Sequence, residues 1–194
     1  MELDLDLNKR YTFADYLTWV DDKRRELIDG IIKIMTPAPS TRHQTVSVNL
    51  ATEIKYFLKK KKCKIFASPF DVRLPNDSEN SNNKIFTVVQ PDICVICDLS
   101  KLDEKGCLRA PDLIIEIVYP SNANHDVEKK FQLYEKHKVH EYWIVFPHEN
   151  TINVFLLDEN YKYQLVGMFA QDSKVPVNIF NGDLIIDLTE IFED

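Results

Sequence analysis

The stretch that decides the fold runs from Gln90 to Tyr134 and reads QPDICVICDLSKLDEKGCLRAPDLIIEIVYPSNANHDVEKKFQLY. Its centre, Leu113 to Val118, has the composition of a buried strand, yet Glu116 stands in the middle of it. A carboxylate in such a place costs on the order of several kcal/mol unless it is paired, protonated or bound to a metal. This misfit is the most informative local feature of the sequence.

Alternation along this strand separates two faces. Glu116 shares one face with Asp112 and Val118, and the other face is wholly apolar or aromatic. We expect the apolar face to pack under a helix and the acidic face to look into a cleft or a metal site. Asp92 follows a proline in the preceding strand-like run, so its carboxylate can converge with that of Glu116 if the two strands are neighbours. Two such carboxylates suit Mg²⁺ or Mn²⁺, since hard divalent ions prefer oxygen ligands.

A helical pattern follows the strand, and the angles around it distinguish its two adjacent lysines. With Val127 at the centre of the inner face, Phe131 and Tyr134 lie within about 40° of that centre at 100° per residue. Lys130 lies about 60° from the centre and Lys129 about 160° from it. Lys130 therefore borders the buried face, and Lys129 faces water. A lysine beside two metal-binding acids can orient a nucleophilic water and stabilise charge on a phosphoryl group.

Length and charge limit the class of protein. The chain has 194 residues, which predicts a single domain over residues 1–194. Its net charge of −7 argues against broad, non-specific adhesion to nucleic acid, so any such contact needs a local basic patch or metal ions. The first 30 residues lack an apolar signal core, and no apolar run is long enough to span a membrane, so no membrane partner is expected.

The spacing of the cysteines bears on whether they bind metal, form disulfides or stay reduced. Cys94 and Cys97 have the C-x-x-C spacing of zinc and redox sites. They lie in a strand-like run, however, where residues three apart point to opposite faces and cannot share a metal. We expect reduced, partly buried thiols and, from them, a cytoplasmic location.

Helical and strand-like patterns alternate along the rest of the chain. The predicted helices start at Thr12, at Ser40 or Thr41 (to about Lys60) and at Asn124 (to Lys138). The predicted strands are a hairpin over 25–36 that turns at Asp29-Gly30, and runs over 65–74, 85–97, 112–119, 141–146, 151–157, 161–166 and 184–186, with a charged connection over 100–110. Pro91 makes the second of these runs either an edge strand or an interrupted one. The pattern favours an α/β or α+β fold with a mixed sheet flanked by helices and an N-terminal β-hairpin.

These motifs together resemble the PD-(D/E)xK nuclease superfamily and, more closely, the Uma-type restriction endonuclease family. The likeness covers roughly residues 10–160, and each piece is weak by itself. The matching segments are Arg10-Tyr-Thr-Phe-Ala-Asp-Tyr16, Glu26-Leu-Ile-Asp-Gly30, Pro37-Ala-Pro-Ser40 with His43, Asp71-Val-Arg-Leu74, Gln90-Pro-Asp92, Ala110-Pro-Asp-Leu-Ile-Ile-Glu-Ile117, Pro120-Ser121 and Glu141-Tyr-Trp-Ile-Val145.

The resemblance implies a restriction-endonuclease-like fold and Mg²⁺-dependent hydrolysis of DNA. Asp92 and Glu116 are then the metal carboxylates, and Glu26 is the acid of the first motif. The pattern's lysine normally stands two places after the acid, where this chain has Val118, so the role passes to Lys130 on the helix. A homodimer is also expected, because cutting both strands usually needs two sites. A second departure is the segment 119–122, Tyr-Pro-Ser-Asn, where the family usually reads Ser-Pro-Ser-Thr.

Each candidate also has an ordinary structural explanation. Glu116 can form a structural pair with Lys130 or Arg109, Asp92 can form a turn, and Lys130 can reach past the core to solvent. Glu26 can be an ordinary acid that opens a hairpin strand. Further candidates are Asp112, Asp71, His43 and the lysine run 59–62, which is either a solvated helix end or a phosphate-facing patch.

Two rival hypotheses about function therefore stay open. One is a catalytically inactive nuclease-like domain that binds nucleic acid or a protein partner. The other is a structural homo-oligomer in which the acids only pair with other groups.

Overall fold

The computed structural model describes residue 3 and residues 5–35, 39–76, 80–118 and 123–193, without the side chains of 123–126. The α-helices are α1 Phe13–Tyr16, α2 Thr41–Phe57, α3 Ala123–Lys136 and α4 Leu188–Ile191. The strands are β1 Arg25–Ile28, β2 Ile31–Ile34, β3 Lys64–Ala67, β4 Val72–Arg73, β5 Val88–Val89, β6 Ile93–Ile96, β7 Leu102–Asp103, β8 Gly106–Leu108, β9 Leu113–Ile117, β10 Glu141–Phe146, β11 Thr151–Leu157, β12 Tyr163–Ala170, β13 Lys174–Pro176 and β14 Ile185–Asp187.

Most of these strands form two six-stranded sheets. Sheet A has the order β2-β1-β5-β4-β8-β7, sheet B has the order β12-β11-β10-β9-β6-β3, and β13 pairs with β14 separately. Each large sheet is mixed, because β4 is parallel to β8 in sheet A and β9 is parallel to β10 in sheet B. α3 makes the crossover between β9 and β10 that a parallel pair requires. The predicted mixed α+β fold with an N-terminal hairpin is confirmed.

Sheet B is covered on both faces. The face that carries Leu113 and Ile115 packs under α2, where Leu50 belongs to the same buried cluster. The opposite face, with Ile114, meets Tyr134 of α3 and side chains of sheet A. The apolar face of β9 therefore packs as expected. The acidic face, which was expected to look into a cleft or a metal site, is largely covered by α3 and sheet A, and a metal site there stays a prediction.

Local sequence signals explain several element boundaries. Thr12 and Asp15 form a capping box at the start of α1, where the sequence predicts a helix. The hairpin turns at Asp29 and Gly30 with φ values of 49° and 85°, a conformation that glycine adopts readily. Ser40 caps α2 through the backbone N–H of His43, and α2 ends at Phe57 rather than near Lys60.

Two of the runs predicted to be strand-like are each divided between the sheets. The run over 65–74 separates into β3 of sheet B and β4 of sheet A, and the run over 85–97 separates into β5 of sheet A and β6 of sheet B. The second break falls at Pro91, which has no N–H to continue a ladder. The interruption that the sequence left open is therefore the correct alternative.

The other differences lie in the connection over 100–110 and in the C-terminal strands. The connection over 100–110 contains β7 and β8, which form a small antiparallel pair. β12 extends to Ala170 instead of ending at residue 166, and β13 was not predicted at all. Two- and three-residue strands carry too little alternation to be recognised in a sequence.

The cysteines differ from the prediction. Cys63 and Cys97 form a disulfide, so the prediction of reduced thiols is wrong for this pair, whereas Cys94 and Cys107 are free and buried. Cys94 and Cys97 do lie on opposite faces of sheet B, as predicted. The cytoplasmic location was inferred from reduced thiols, and it stays a prediction.

The single domain over 1–194 also stays a prediction. In the described part of the chain, every helix is too short or too polar to cross a membrane.

Glu141 fixes the C-terminal region to sheet B. Its carboxylate is fully buried and accepts hydrogen bonds from Trp143 Nε1 (2.8 Å), from the backbone and side-chain nitrogens of Asn178 (3.1 and 3.0 Å) and from the Ile179 backbone N–H (2.8 Å). Four donors therefore depend on one side chain.

Replacing Glu141 with Ala should destabilise the fold by about 3–5 kcal/mol, because it leaves buried donors without acceptors. Urea denaturation measures the effect, with Glu159→Ala, an exposed glutamate between β11 and β12, as the control. Equal stability of the two variants would contradict this account of Glu141.

Candidate active site

Asp92 and Glu116 lie side by side on neighbouring strands. β6 and β9 are antiparallel with Ile93 opposite Ile115, and one step further along this register Asp92 faces Glu116. Directly opposed residues point to the same face of a sheet. The Asp92 carboxylate accepts the backbone N–H of Ile117 through Oδ2 at 2.8 Å. The structure thus brings together the two acids that the sequence proposed as a pair.

Glu116 has two donors on one oxygen. Lys130 Nζ lies 2.9 Å from Oε1, and the Tyr134 hydroxyl donates to the same atom at 2.6 Å. Burial raises the pKa of Glu116, Lys130 offsets part of this effect, and the charges of Asp92 and Glu26 raise it further, to about 7. Glu116 is therefore paired with Lys130, but this one cation does not offset the effects of burial and of the two neighbouring carboxylates on its pKa.

Lys130 joins the two sheets. Its ammonium group contacts Glu116 on sheet B and, at 3.2 Å, Oε1 of Glu26 on sheet A. The same Glu26 oxygen accepts the backbone N–H of Gln90 at 2.8 Å. Burial lowers the pKa of Lys130, but the charges of Glu116 and Glu26 outweigh burial and hold that pKa above its usual range. Lys130 is therefore a permanent cation between two carboxylates, and the choice of Lys130 over Lys129 agrees with these contacts.

A second layer of polar groups lies behind Glu26. The side chain of Gln90 donates to Asp71 Oδ1 at 2.8 Å, and the Tyr16 hydroxyl donates to the same oxygen at 3.3 Å. Burial raises the pKa of Asp71, and the two hydrogen bonds only partly offset that increase. Asp71, a secondary candidate in the sequence, thus belongs to the acidic surroundings of the site.

His43 reaches the site from α2. Its Nε2 lies 3.4 Å from Asp92 Oδ2. Burial lowers the pKa of His43, but the hydrogen bond and charge of Asp92 outweigh burial, and the net shift is upward. His43 therefore helps to orient the Asp92 carboxylate from α2.

Other candidates lie elsewhere. Asp112 accepts the backbone N–H of Cys97 at 2.7 Å, just past the end of β6. Arg109, the alternative partner for Glu116, donates to Asn80. The lysine run 59–62 lies beyond the opposite end of sheet B, since Lys64 pairs with Ile96 at the end of β6 distant from the acids. The segment 119–122 and Pro37 lie outside the described residues.

Sequence reasoning missed the role of Tyr134. It recognised Tyr134 only as an inward-facing helix residue, whereas the hydroxyl is a partner of Glu116. The signal was present, because residues four apart on a helix share a face and Tyr134 follows Lys130 at that spacing. Gln90 and Tyr16 were also missed, since nothing in their local sequence indicates that they meet Asp71.

The donor set fits a divalent cation. Oε1 of Glu116 and Oδ2 of Asp92 are committed to protein donors, whereas the second oxygen of each carboxylate accepts no hydrogen bond within the described residues. Three carboxylates, those of Glu26, Asp92 and Glu116, surround the single ammonium group of Lys130. No group of three or more His, Cys, Asp or Glu side chains in the described part of the chain is arranged to hold an ion. The fit is therefore to two carboxylates with water or substrate in the remaining positions, which Mg²⁺ accepts.

Comparison with known proteins assigns a family. Residues 13–189 match the family described as "Uma2: Putative restriction endonuclease". The chain belongs to this family. The match to the Uma2 family includes the hairpin, both large sheets and α3, so it contains every residue of the site described above.

Two individual relatives of this Uma2 member add detail. The uncharacterised protein slr1290 of Synechocystis sp. is 26% identical over 161 residues, which are 81% of this chain and 80% of that protein. A crystal structure described as that of "a putative nuclease belonging to DUF820" from Anabaena variabilis superimposes with a TM-score of 0.72 at 22% identity, over 94% of this chain and 97% of the other. The second likeness shows that the two chains share a fold.

The pKa of Glu116 generates a prediction about stability. A folded-state pKa of about 7 for Glu116, above its ordinary value of 4.5, means that between these pH values the folded protein retains a proton that the unfolded chain has lost. The metal-free protein should therefore lose stability as the pH rises from about 4.5 to 7, by on the order of 2 kcal/mol.

Denaturation by urea at pH 5 and pH 8 measures this loss. Glu116→Gln cannot titrate, so its stability should change less between the two pH values. An equal change in both proteins would show that another group is responsible.

Tyr134 and Tyr142 form a matched pair for testing the hydrogen bond to Glu116. Both are fully buried, and their ring centroids lie 5.1 Å apart, but the Tyr142 hydroxyl has no hydrogen-bond partner within the described residues. Tyr134→Phe should cost about 1.5–3 kcal/mol of unfolding free energy, whereas Tyr142→Phe should be neutral or stabilising. Thermal and urea denaturation measure both, and the reverse order would contradict the bond to Glu116.

Proposed function

We propose that this protein is a Mg²⁺-dependent endonuclease that hydrolyses phosphodiester bonds of DNA. The observation that carries the proposal is the convergence of Asp92, Glu116 and Lys130, with one oxygen of each carboxylate not engaged by donors in the described residues. Membership of the Uma2 family supports the nuclease class. Mg²⁺ or Mn²⁺ and a DNA substrate are the parts of the proposal that require experiment.

The bound ion would be held by Asp92 and Glu116. Such an ion polarises a phosphoryl oxygen and lowers the pKa of a coordinated water. Glu116 can hold it in a fixed place because Lys130 and Tyr134 immobilise Oε1. Asp92 is immobilised in the same way by the Ile117 N–H and by His43. The protein thus preorganises both carboxylates before any ion binds.

Lys130 has a second role in this proposal. Its ammonium group remains charged throughout the physiological range, because its pKa is raised, and its side chain is 16% exposed. A fixed cation at this position stabilises negative charge that develops on the phosphoryl group and helps to align the attacking water. Glu26, which binds Lys130 and the Gln90 N–H, acts by positioning that cation.

Cleavage of supercoiled plasmid in Mg²⁺ or Mn²⁺ tests the proposal. Glu116→Gln, Asp92→Asn and Lys130→Gln should each reduce the rate by at least about 100-fold, because each removes a group at the reacting centre. Lys129→Gln and Glu128→Gln, on the same helix, are the matched controls and should retain activity. Circular dichroism and thermal denaturation establish that each variant is folded.

The absence of cleavage by the native chain in both metals would contradict the proposed function, and so would full activity of Glu116→Gln. Calorimetry then distinguishes the rival function, a domain that binds nucleic acid or a protein partner without catalysis. For such a binding domain, calorimetry should show no Mg²⁺ binding by the native chain that disappears in Asp92→Asn. The expected homodimer is tested separately, by sedimentation of the native chain with and without DNA.

A further inference from the structure

Arg24 lies at the exposed edge of the site in a fixed orientation. Its Nε and Nη2 atoms donate to Gln90 Oε1 at 3.2 and 3.0 Å, and Nη2 also donates to the Ser68 hydroxyl. The backbone N–H of Ser68 in turn donates to the carbonyl oxygen of Asp92 at 3.0 Å. Arg24 is therefore connected to Asp92 through a single intervening residue, although it precedes β1 on the other sheet.

The partners of Arg24 leave its charge uncompensated. Gln90 and Ser68 offer neutral oxygens, and within the described residues Arg24 forms no ion pair and its Nη1 atom makes no hydrogen bond. Lys130 differs, because it is largely buried between Glu26 and Glu116. Arg24 is exposed and so carries a cation that is accessible from solvent beside the acids.

The surroundings of the site create a need for such a cation. Glu26, Asp71, Asp92 and Glu116 lie close together in a chain of net charge −7. An incoming nucleic-acid backbone is repelled by these carboxylates, and an ion between Asp92 and Glu116 acts mainly on the phosphate that it contacts. The neighbouring phosphates require another positive group.

We propose that Arg24 binds a backbone phosphate of the substrate adjacent to the phosphate that is cleaved. This inference rests on the proposed function, and it specifies a second contact of the same site, with a phosphodiester anion as the ligand. A guanidinium group suits the task because it stays charged, and its Nη1 atom still has two N–H donors for phosphate oxygens.

Gln90 and Ser68 act as positioning residues for Arg24. The amide nitrogen of Gln90 is held by Asp71, so its oxygen is fixed towards the guanidinium group. Nη1 then points away from both partners and remains for the phosphate. Preorganisation of this kind reduces the entropy that is lost when the ligand binds.

Arg10 provides a matched control. It is also an exposed arginine held by a neutral oxygen, since its Nε donates to the Asp29 carbonyl at 2.9 Å. Asp29 lies at the turn of the hairpin, five residues and thus about 16 Å along β1 from Arg24 at 3.3 Å per residue. Arg10→Gln removes the same charge as Arg24→Gln at the distal end of the same hairpin.

The test measures binding separately from cleavage. Fluorescence anisotropy of a labelled DNA duplex, titrated in Ca²⁺ at several salt concentrations, gives Kd and its salt dependence. Arg24→Gln should weaken binding about tenfold and lower the slope of log K against log salt by about one, as expected when one phosphate contact is lost. Arg24→Lys should give an intermediate Kd, and Arg10→Gln should bind like the native chain.

The outcomes distinguish this proposal from the proposed function. If the native chain does not cut DNA, and Arg24→Gln loses affinity for DNA whereas Arg10→Gln does not, the phosphate contact is supported and the proposed nuclease function is contradicted. If the native chain cuts DNA, and Arg24→Gln binds and cuts it equally well, the phosphate contact is contradicted and the nuclease function is not. Equal losses in Arg24→Gln and Arg10→Gln would also overturn the proposal, because they would reflect net charge rather than a site. In cleavage assays, Arg24→Gln should raise KM more than it lowers kcat.

Discussion

The ion cluster of Glu26, Lys130 and Glu116 is the interaction on which the rest of the site depends. It places one ammonium group between a carboxylate of sheet A and a carboxylate of sheet B. Buried ion pairs contribute little net stability, because desolvation offsets most of the attraction, but removing one member leaves the other charge uncompensated. The cluster therefore acts mainly on geometry, since it makes the packing of α3, sheet A and sheet B interdependent.

The arrangement also explains why a site with so much negative charge can persist. Glu116 and Asp92 each bind donors through one oxygen, and those donors come from the backbone, from α3 and from α2. Each carboxylate is thus oriented by groups that do not compete with a ligand on the other oxygen. The remaining excess of negative charge is the electrostatic property that favours a cation at this place.

The central part of the fold and the acid at its centre were predictable because alternation along one strand could be recognised. The run from Leu113 to Ile117 is long enough for alternation to be read, and an acid inside it violates that alternation visibly. Helix angles then separated Lys130 from Lys129. The resemblance to Uma-type nucleases supplied Glu26, which alternation alone could not have distinguished from any other acid at the start of a hairpin.

The rest could not be predicted because it depends on contacts between distant segments. The division of two runs between the sheets, the pairing of Cys63 with Cys97, and the contacts of Gln90 and Arg24 all join residues separated by tens of positions. Local patterns carry no information about such pairings. For the same reason the sequence could not show that α3 and sheet A cover most of the acidic face of β9.

The division at Gln90, Pro91 and Asp92 has a mechanical consequence. The chain passes there from β5 in sheet A to β6 in sheet B, and the site is assembled on either side of that passage. The position of Glu26 relative to Glu116 therefore depends on how the two sheets pack, and buried side chains such as Tyr142 and Val89 belong to the apolar cluster between them. A substitution that changes the side-chain volume in this apolar layer should therefore change the geometry of the site, even though no polar group of the site is replaced.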